Sequence, residues 1–390
     1  TVGDIESTPF LETIRQICLE QPKEDCMCIH VTLVPHLQGS DELKTKPTQH
    51  SVRTLQSLGV HPDMIVVRCD KEIDDQIKEK ISLFCNVSKE SVIYNGTLPI
   101  LYEVPLMLEA QNMCTLTLER LNLPLHPVDL TEWTSMIDKI KSRNETVTIS
   151  LVGKYTSLHD AYCSVVESLY HGGYQHHSHI HINWVDSEVL TEENIENILG
   201  QTHGILVPGG FGERGIEGMI LAAKFAREKN IPYLGICLGM QIACIEFARN
   251  VLGYAQATSK EFDEHTPHPI IHIMEDQKYI QKMGGTLRKG SYPCKLKENS
   301  VAKASYQADV INERHRHRYE FNNSYRPEFE QGGLDIVGTS LDDLLVEVVE
   351  NKNCDYFVGC QYHPEFKSRP NRPHPLFASF IQHALAYKNK

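Results

Sequence analysis

The chain has 390 residues, 41% of them hydrophobic, and carries a net charge of −13. Its length predicts two or three domains at roughly 150 residues each, and the acidic balance argues against a nucleic-acid binder, which needs a basic footprint. No apolar run approaches the roughly 20 residues of a membrane span, and twelve cysteines without a disulfide rhythm in so long a chain fit a reducing, cytoplasmic setting.

The start "TVGDIESTPF" is polar and acidic and carries no secretory signal. It opens at Thr1 rather than methionine, so an N-terminal segment is expected to be absent from this chain. "PFLETIRQIC" places Phe10, Leu11, Ile14 and Ile17 at helical spacing, and "DDQIKEKISLFC" with the isoleucine before it does the same with Ile73, Ile77, Ile81 and Phe84. "CIHVTLVP" and "MIVVRC" read as strands. "YEVPLMLEAQNMCTLTLERL" reads as one further helix starting near Pro105. This alternation predicts βαβ units around a mostly parallel sheet.

Between two of these elements lies "KTKPTQ". Pro47 suits the first position of a helix, and the following "TQHSVRTLQSL" is amphipathic. A helix N-terminus beside Lys44 and Lys46 would suit a triphosphate; the alternative is an exposed basic loop. Next, "LPLHPVDL" is a proline-punctuated break. "TEWTSMIDKIKSRNE" then predicts a single linker helix with Trp133, Ile137 and Ile140 on one stripe. The expected domains are residues 1–122, a linker at 123–146, and residues 147–390.

The second alternating pattern has strands "TISLVG", "IHINWV", "GILVP", "PYLGI", "LLVEVVE" and "YFVGCQY". "GMILAAKFAREKN" and "GMQIACIEFARNV" are helices between them. Fold class is therefore α/β throughout, with two domains that each hold a mostly parallel sheet flanked by helices. No internal repeat stands out.

In "PYLGICLGMQIA" a cysteine, Cys237, sits between Gly235 and Gly239 where a strand gives way to a helix. Glycines on both sides allow a sharp bend that pushes the middle side chain out, the nucleophile-elbow pattern with cysteine for serine. The helix N-terminus would favour the thiolate. "QYHPEF" supplies His363 as a base and Glu365 as its orienter, two residues apart on an extended segment and so on one side. "VPGGFGERG" offers backbone N–H groups, and those of Gly210 and Leu238 could converge on one oxyanion. Each stretch alone has an ordinary reading: a buried cysteine, surface polarity, a turn.

Together, "PGGFG", "GICLGMQ" and "QYHPEF" closely resemble the class I glutamine amidotransferases over residues 147 to 390. The resemblance implies that Cys237 attacks the side-chain amide of glutamine, forms a glutamyl thioester and releases ammonia. It further implies that Gly210, Leu238, Gly239, Met240, Gln241, Glu261 and Arg318 bind glutamine. Arg318 would pair with its α-carboxylate, and Glu261 would hold its ammonium.

"TVGDIES", "KTKPTQHSV" and "ERHRHRYEFNN" extend the likeness from end to end and mark the CTP synthase family. That resemblance implies an enzyme that aminates UTP to CTP, using ATP and ammonia from glutamine. Lys44, Thr45, Lys46, Pro47, Thr48, Gln49 and Lys80 would contact UTP or the feedback inhibitor CTP. Asp4, Ile5 and Glu6 would line the same region. Gly96, Thr97 and Leu98 match the adenine-contacting loop, although "NGT" departs from the family pattern. GTP as activator, Mg²⁺ with ATP, and assembly into tetramers and filaments are also implied, with neither nucleic acid nor membrane as partner.

The family's phosphate loop and acidic metal ligands are expected upstream of Thr1, so part of the ATP site should be missing and no metal ligand is expected within this chain. Two other readings are a free-standing glutaminase that supplies another synthase, and a non-catalytic member that forms or regulates oligomers. The tract His176, His177, His179 and His181 resembles a metal run but leads into a strand without carboxylates nearby. Cys26 and Cys28 are too close for a CxxC unit. The N-x-[ST] matches at Asn86, Asn95, Asn144 and Asn322 are read as chance.

Overall fold

The run "MIVVRC" forms the strand Met64–Arg68, buried along its whole length except at Arg68. Such a near-continuous apolar strand belongs in the middle of a parallel sheet, covered on both faces. In the computed structural model, which describes residues 1–37, 39–273 and 287–390, it pairs in parallel with Ile29–Leu33 on one side and Val92–Asn95 on the other. The chain divides into two compact units, Thr1–Ile137 and Asp138–Lys390. The division falls inside the helix Thr131–Lys141, which follows the proline-rich break.

In the first unit the helices Lys46–Ser57 and Asp75–Cys85 pack on each other. Asp74 caps the second by accepting from the Ile77 N–H at 2.8 Å. Asn86 closes that helix in the left-handed region at φ 58°. The stripe that predicts the first helix is present on Thr8–Glu20, but Phe10, Ile14 and Ile17 lie exposed.

The single helix expected over 102–121 is instead two, Val104–Glu109 and Met113–Arg120. The reason is Gln111. Its side-chain amide accepts from the Tyr94 N–H and donates to the Tyr94 carbonyl, both at 2.8 Å, pairing with the edge strand as a further strand residue would. Asn112 then turns the chain at φ 59°.

The second unit is built on a sheet of nine strands among the described residues. From one edge to the other they are Val310–His317, Arg288–Leu296, Leu334–Thr339, Val346–Asn351, Phe357–Cys360, Tyr233–Ile236, Gly204–Val207, Glu145–Gly153 and Ser178–Asp186. The last five run parallel, and antiparallel pairing extends the sheet from Phe357–Cys360 to the other edge. The five parallel strands and the antiparallel Val346–Asn351, read from "LLVEVVE", are the strands expected from the sequence. Three antiparallel strands, Arg288–Leu296, Val310–His317 and Leu334–Thr339, were not anticipated.

Residues alternate along the parallel strands between two core layers. Ile205, Val207 and Tyr233 pack with the helices Ile216–Lys229 and Leu238–Asn250. Leu206, Leu234 and Ile236 pack with Cys163–Gln175 and Pro375–Lys388. Ligand sites in such open sheets lie beyond the carboxyl ends of the strands. Among the described residues no helix is long and apolar enough to cross a membrane.

Candidate active site

Two parallel strands end side by side, Tyr233–Ile236 and Phe357–Cys360, with Ile236 opposite Cys360. Past the first, Cys237 takes φ 52° and ψ −99°, a conformation costly for any residue with a side chain. Its N–H donates to the Cys360 carbonyl at 2.7 Å, which tethers the bend to the neighbouring strand. Helix Leu238–Asn250 starts at the next residue. A Cβ on Gly235 would lie 2.5 Å from the Gly239 carbonyl, and one on Gly239 only 2.1 Å from the Val207 carbonyl. Both positions therefore require glycine, and the elbow follows from that close packing.

Past the second strand comes His363. Its Nδ1 lies 2.7 Å from Glu365 Oε1. The expected extended segment is absent here: a one-turn helix, Pro364–Phe366, brings Glu365 back to the ring. Burial alone would lower the imidazole pKa, but the Cys237 thiol and the Glu365 carboxylate outweigh it and raise it to about 10. His363 Nε2 is buried and finds no hydrogen-bond partner among the described residues. Gly209 packs against both partners: a Cβ there would lie 2.9 Å from His363 Cε1 and 3.5 Å from Cys237 Cβ.

A cavity of about 190 Å³ opens at the cysteine. It brings together five of the predicted residues, Gly210, Cys237, Gln241, Glu261 and Arg318. Leu238 and Gly239 form the first helical turn, where N–H groups lack acceptors within the helix. Met240 is fully buried in the core, so only its backbone can face a ligand. Glu261 Oε1 accepts from the Gly212 N–H at 2.9 Å, which ties the carboxylate to the glycine loop.

Several wall residues were not anticipated: Phe211, Leu287, Arg316, His317 and Tyr319. Lys154 was also missed. It follows the strand Glu145–Gly153 directly, and its Nζ donates to the Phe211 carbonyl at 3.1 Å and to that of Gly212, holding the loop. Burial lowers its pKa to about 8. Its position at a strand end was the available signal.

The nucleotide-site candidates lie in the first unit. Thr48 Oγ1 donates to the Leu33 carbonyl at 3.1 Å and Gln49 Nε2 to Thr45 Oγ1 at 3.1 Å, so Thr45, Thr48 and Gln49 are buried and fasten the helix start. Lys44 pairs with Glu42 at 2.6 Å, and Lys46 lies over the Phe84 ring. Pro47 stands in the first turn, and Lys80 is exposed on the adjacent helix. Asp4, Ile5 and Glu6 are exposed near the chain start. Gly96 accepts from Arg68 at 2.8 Å through its carbonyl, and Thr97 donates to Asp70 at 2.8 Å, with Leu98 following. His176 bonds to the Ala378 carbonyl and His177 to Ser142, each at 2.9 Å.

Residues 157–383 match the class-I glutamine amidotransferase family, and residues 1–123 match the CTP synthase N-terminus. A curated CTP synthase from Clostridium kluyveri is 56% identical over 390 residues, which is all of this chain and 73% of the relative. One from Caldanaerobacter subterraneus is 54% identical over 388 residues, covering 72% of that protein. Among solved structures, the Trypanosoma brucei CTPS glutaminase domain with bound acivicin superposes with a TM-score of 0.59 at 37% identity, covering 62% of this chain and 94% of that domain.

Proposed function

From the premise that the chain belongs to the CTP synthase family, we infer which of its residues carry the reaction. That reaction is the ATP-dependent amination of UTP to CTP with ammonia drawn from glutamine, so glutamine, ATP and UTP are the substrates. A free-standing glutaminase is disfavoured because residues 1–123 match the synthase half.

In our reading Cys237 is the nucleophile, His363 the proton carrier and Glu365 its orienter. The carrying observation is the strained Cys237 elbow beside an imidazole whose Nδ1 is held at 2.7 Å by Glu365. The Cys237 thiolate attacks the side-chain carbonyl carbon of glutamine, and the N–H groups of Gly210 and Leu238 receive the oxyanion. His363 passes its proton to the leaving nitrogen, the C–N bond breaks, and ammonia departs. Water then attacks the thioester while His363 takes its proton; the C–S bond breaks, releasing glutamate and restoring the thiolate. Glu261 and Arg318 on the cavity wall are suited to the substrate's ammonium and α-carboxylate.

The reading assigns residues 1–122 to the synthase side, 123–146 to a linker and 147–390 to the amidotransferase side. UTP or CTP would meet Lys44 to Gln49 and Lys80, with Asp4 to Glu6 nearby, and ATP would meet Gly96 to Leu98. GTP activation, CTP feedback, tetramers that stack into filaments and a cytoplasmic site belong to the same proposal. Mg²⁺ would travel with the ATP phosphates. Among the described residues no group of three or more His, Cys, Asp or Glu could hold an ion, so no step is assigned to it.

The test is Cys237→Ala, which should fold and lose glutamine hydrolysis. A glutamine-like electrophile such as acivicin should label Cys237 in the parent only. Glutamate release by the variant at the parent rate would remove Cys237 from the nucleophile's role.

A further inference from the structure

The Cys237 sulfur has a neighbour that the cysteine–histidine–glutamate set does not use. Gln361, two residues before His363, is fully buried, and its Nε2 lies 3.7 Å from Cys237 Sγ. Its Oε1 accepts from Gln241 Nε2 at 3.2 Å. Gln241 also donates to the Tyr319 backbone carbonyl at 3.2 Å.

Amide oxygen and nitrogen are easily confused, so orientation must come from the network. Here a backbone atom decides it. A carbonyl can only accept, so the NH₂ of Gln241 must face Tyr319. The second hydrogen of that NH₂ then requires the oxygen of Gln361. The NH₂ of Gln361 is left for the sulfur. The Gln361 N–H is itself fixed to the Glu347 carbonyl at 2.8 Å, so the side chain starts from an anchored strand end.

An N–H aimed at sulfur bonds more strongly to a thiolate than to a neutral thiol or a thioester. We propose that Gln361 is a positioning residue that holds the Cys237 sulfur in its thiolate form through the relay Tyr319 carbonyl, Gln241, Gln361, sulfur. It acts twice in the cycle: before attack, when the thiolate stands beside the His363 imidazolium, and at thioester hydrolysis, when the sulfur leaves with the electron pair of the C–S bond. Gln241 lies on the cavity wall, so the relay joins the substrate pocket to the nucleophile. The inference rests on Cys237 as the nucleophile.

The experiment uses the full chain. Gln361→Met keeps similar bulk and removes the donor. Alkylation of the Cys237 peptide by iodoacetamide is followed by mass spectrometry across pH, together with kcat and KM for glutamine. Loss of a hydrogen bond to a charged group at long sulfur distance should slow alkylation about tenfold at neutral pH, with recovery at high pH. It should lower kcat by about tenfold and leave KM within about twofold. Gln241→Met should slow alkylation of Cys237 in the same direction by less, because Gln361 then loses its orientation, and should also raise KM, because Gln241 lines the substrate pocket. Should Gln361→Met fail to fold by circular dichroism, Gln361→Glu retains the shape without the NH₂ and is expected to behave alike. An unmoved alkylation profile in the folded variant, or a raised KM with kcat intact, would overturn the role. Cys237→Ala, assayed alongside for glutamate release, separates failure of the nucleophile assignment from failure of the relay.

Discussion

His363 Nδ1 and Glu365 Oε1 meet at 2.7 Å with only Pro364 between them in the chain. The bond depends on the single turn Pro364–Phe366, and both side chains are nearly excluded from solvent. It selects the tautomer and leaves Nε2 for the sulfur side. Glu365→Gln should therefore lower kcat for glutamine hydrolysis about a hundredfold, within the range of positioned proton transfer, with little change in KM. Steady-state kinetics check this; an unchanged kcat would leave Glu365 a structural role alone.

The same contact sets a pH dependence of stability. The His363 pKa is raised from 6.5 to about 10, despite burial, by Cys237 and Glu365. The fold thus favours the protonated ring. Its contribution is whole below about 6.5 and is lost as pH rises through about 10. Melting temperatures measured across this window should fall more steeply for the parent than for Glu365→Gln. Equal slopes would contradict the assignment.

Gly239 has no room for a methyl group, since its Cβ would stand 2.1 Å from the Val207 carbonyl. Gly239→Ala must move the start of the helix away from its strand. A stability loss of about 1–3 kcal/mol is expected from overpacking, with a fall in glutaminase kcat as the elbow shifts. Urea denaturation and kinetics together read both effects.

Arg318 lies on the cavity wall with Glu261. If it meets the substrate carboxylate, Arg318→Ala should raise KM for glutamine by roughly 10- to 150-fold and lower kcat less, the worth of a charge-assisted bond. An unchanged KM would assign Arg318 to structure.

The mostly covered Arg288 lies 2.5 Å from Glu347 and 3.9 Å from Glu320, both buried. Burial raises the pKa of both carboxyls, that of Glu320 well above the ordinary value. Arg288→Met strands the carboxylate of Glu347 and should cost about 3–5 kcal/mol. Glu320→Gln replaces a carboxyl whose charged form burial already disfavours, and should cost less than Arg288→Met. Chemical denaturation of both variants distinguishes a true ion pair from a neutral cluster.

The parallel half of the second unit was legible in the sequence because its strands are unbroken apolar runs: "GILVP" and "PYLGI" can only be buried on both faces. The elbow was legible only in combination: two glycines flanking a cysteine at a strand end also fit a buried structural cysteine, and "PGGFG" and "QYHPEF" supplied the rest of the pattern. Of the antiparallel extension only Val346–Asn351 was legible, as the apolar run "LLVEVVE". In Val310–His317 the buried positions are Ile311, Glu313, His315 and His317, so the inward face is mostly polar and periodicity gives no signal. Those groups become tolerable inside only once partners from distant segments reach them, as Lys367 and His374 reach Glu313, and Glu347 reaches His315. The helix break at Gln111 has the same origin, because its amide pairs with Tyr94, a strand residue, and no local propensity records that. Residue types and spacing determined the chemistry available to this chain. Contacts between residues remote in sequence decided how it is aimed, from the Cys360 carbonyl that fixes Cys237 to the Tyr319 carbonyl that orients Gln241 and Gln361.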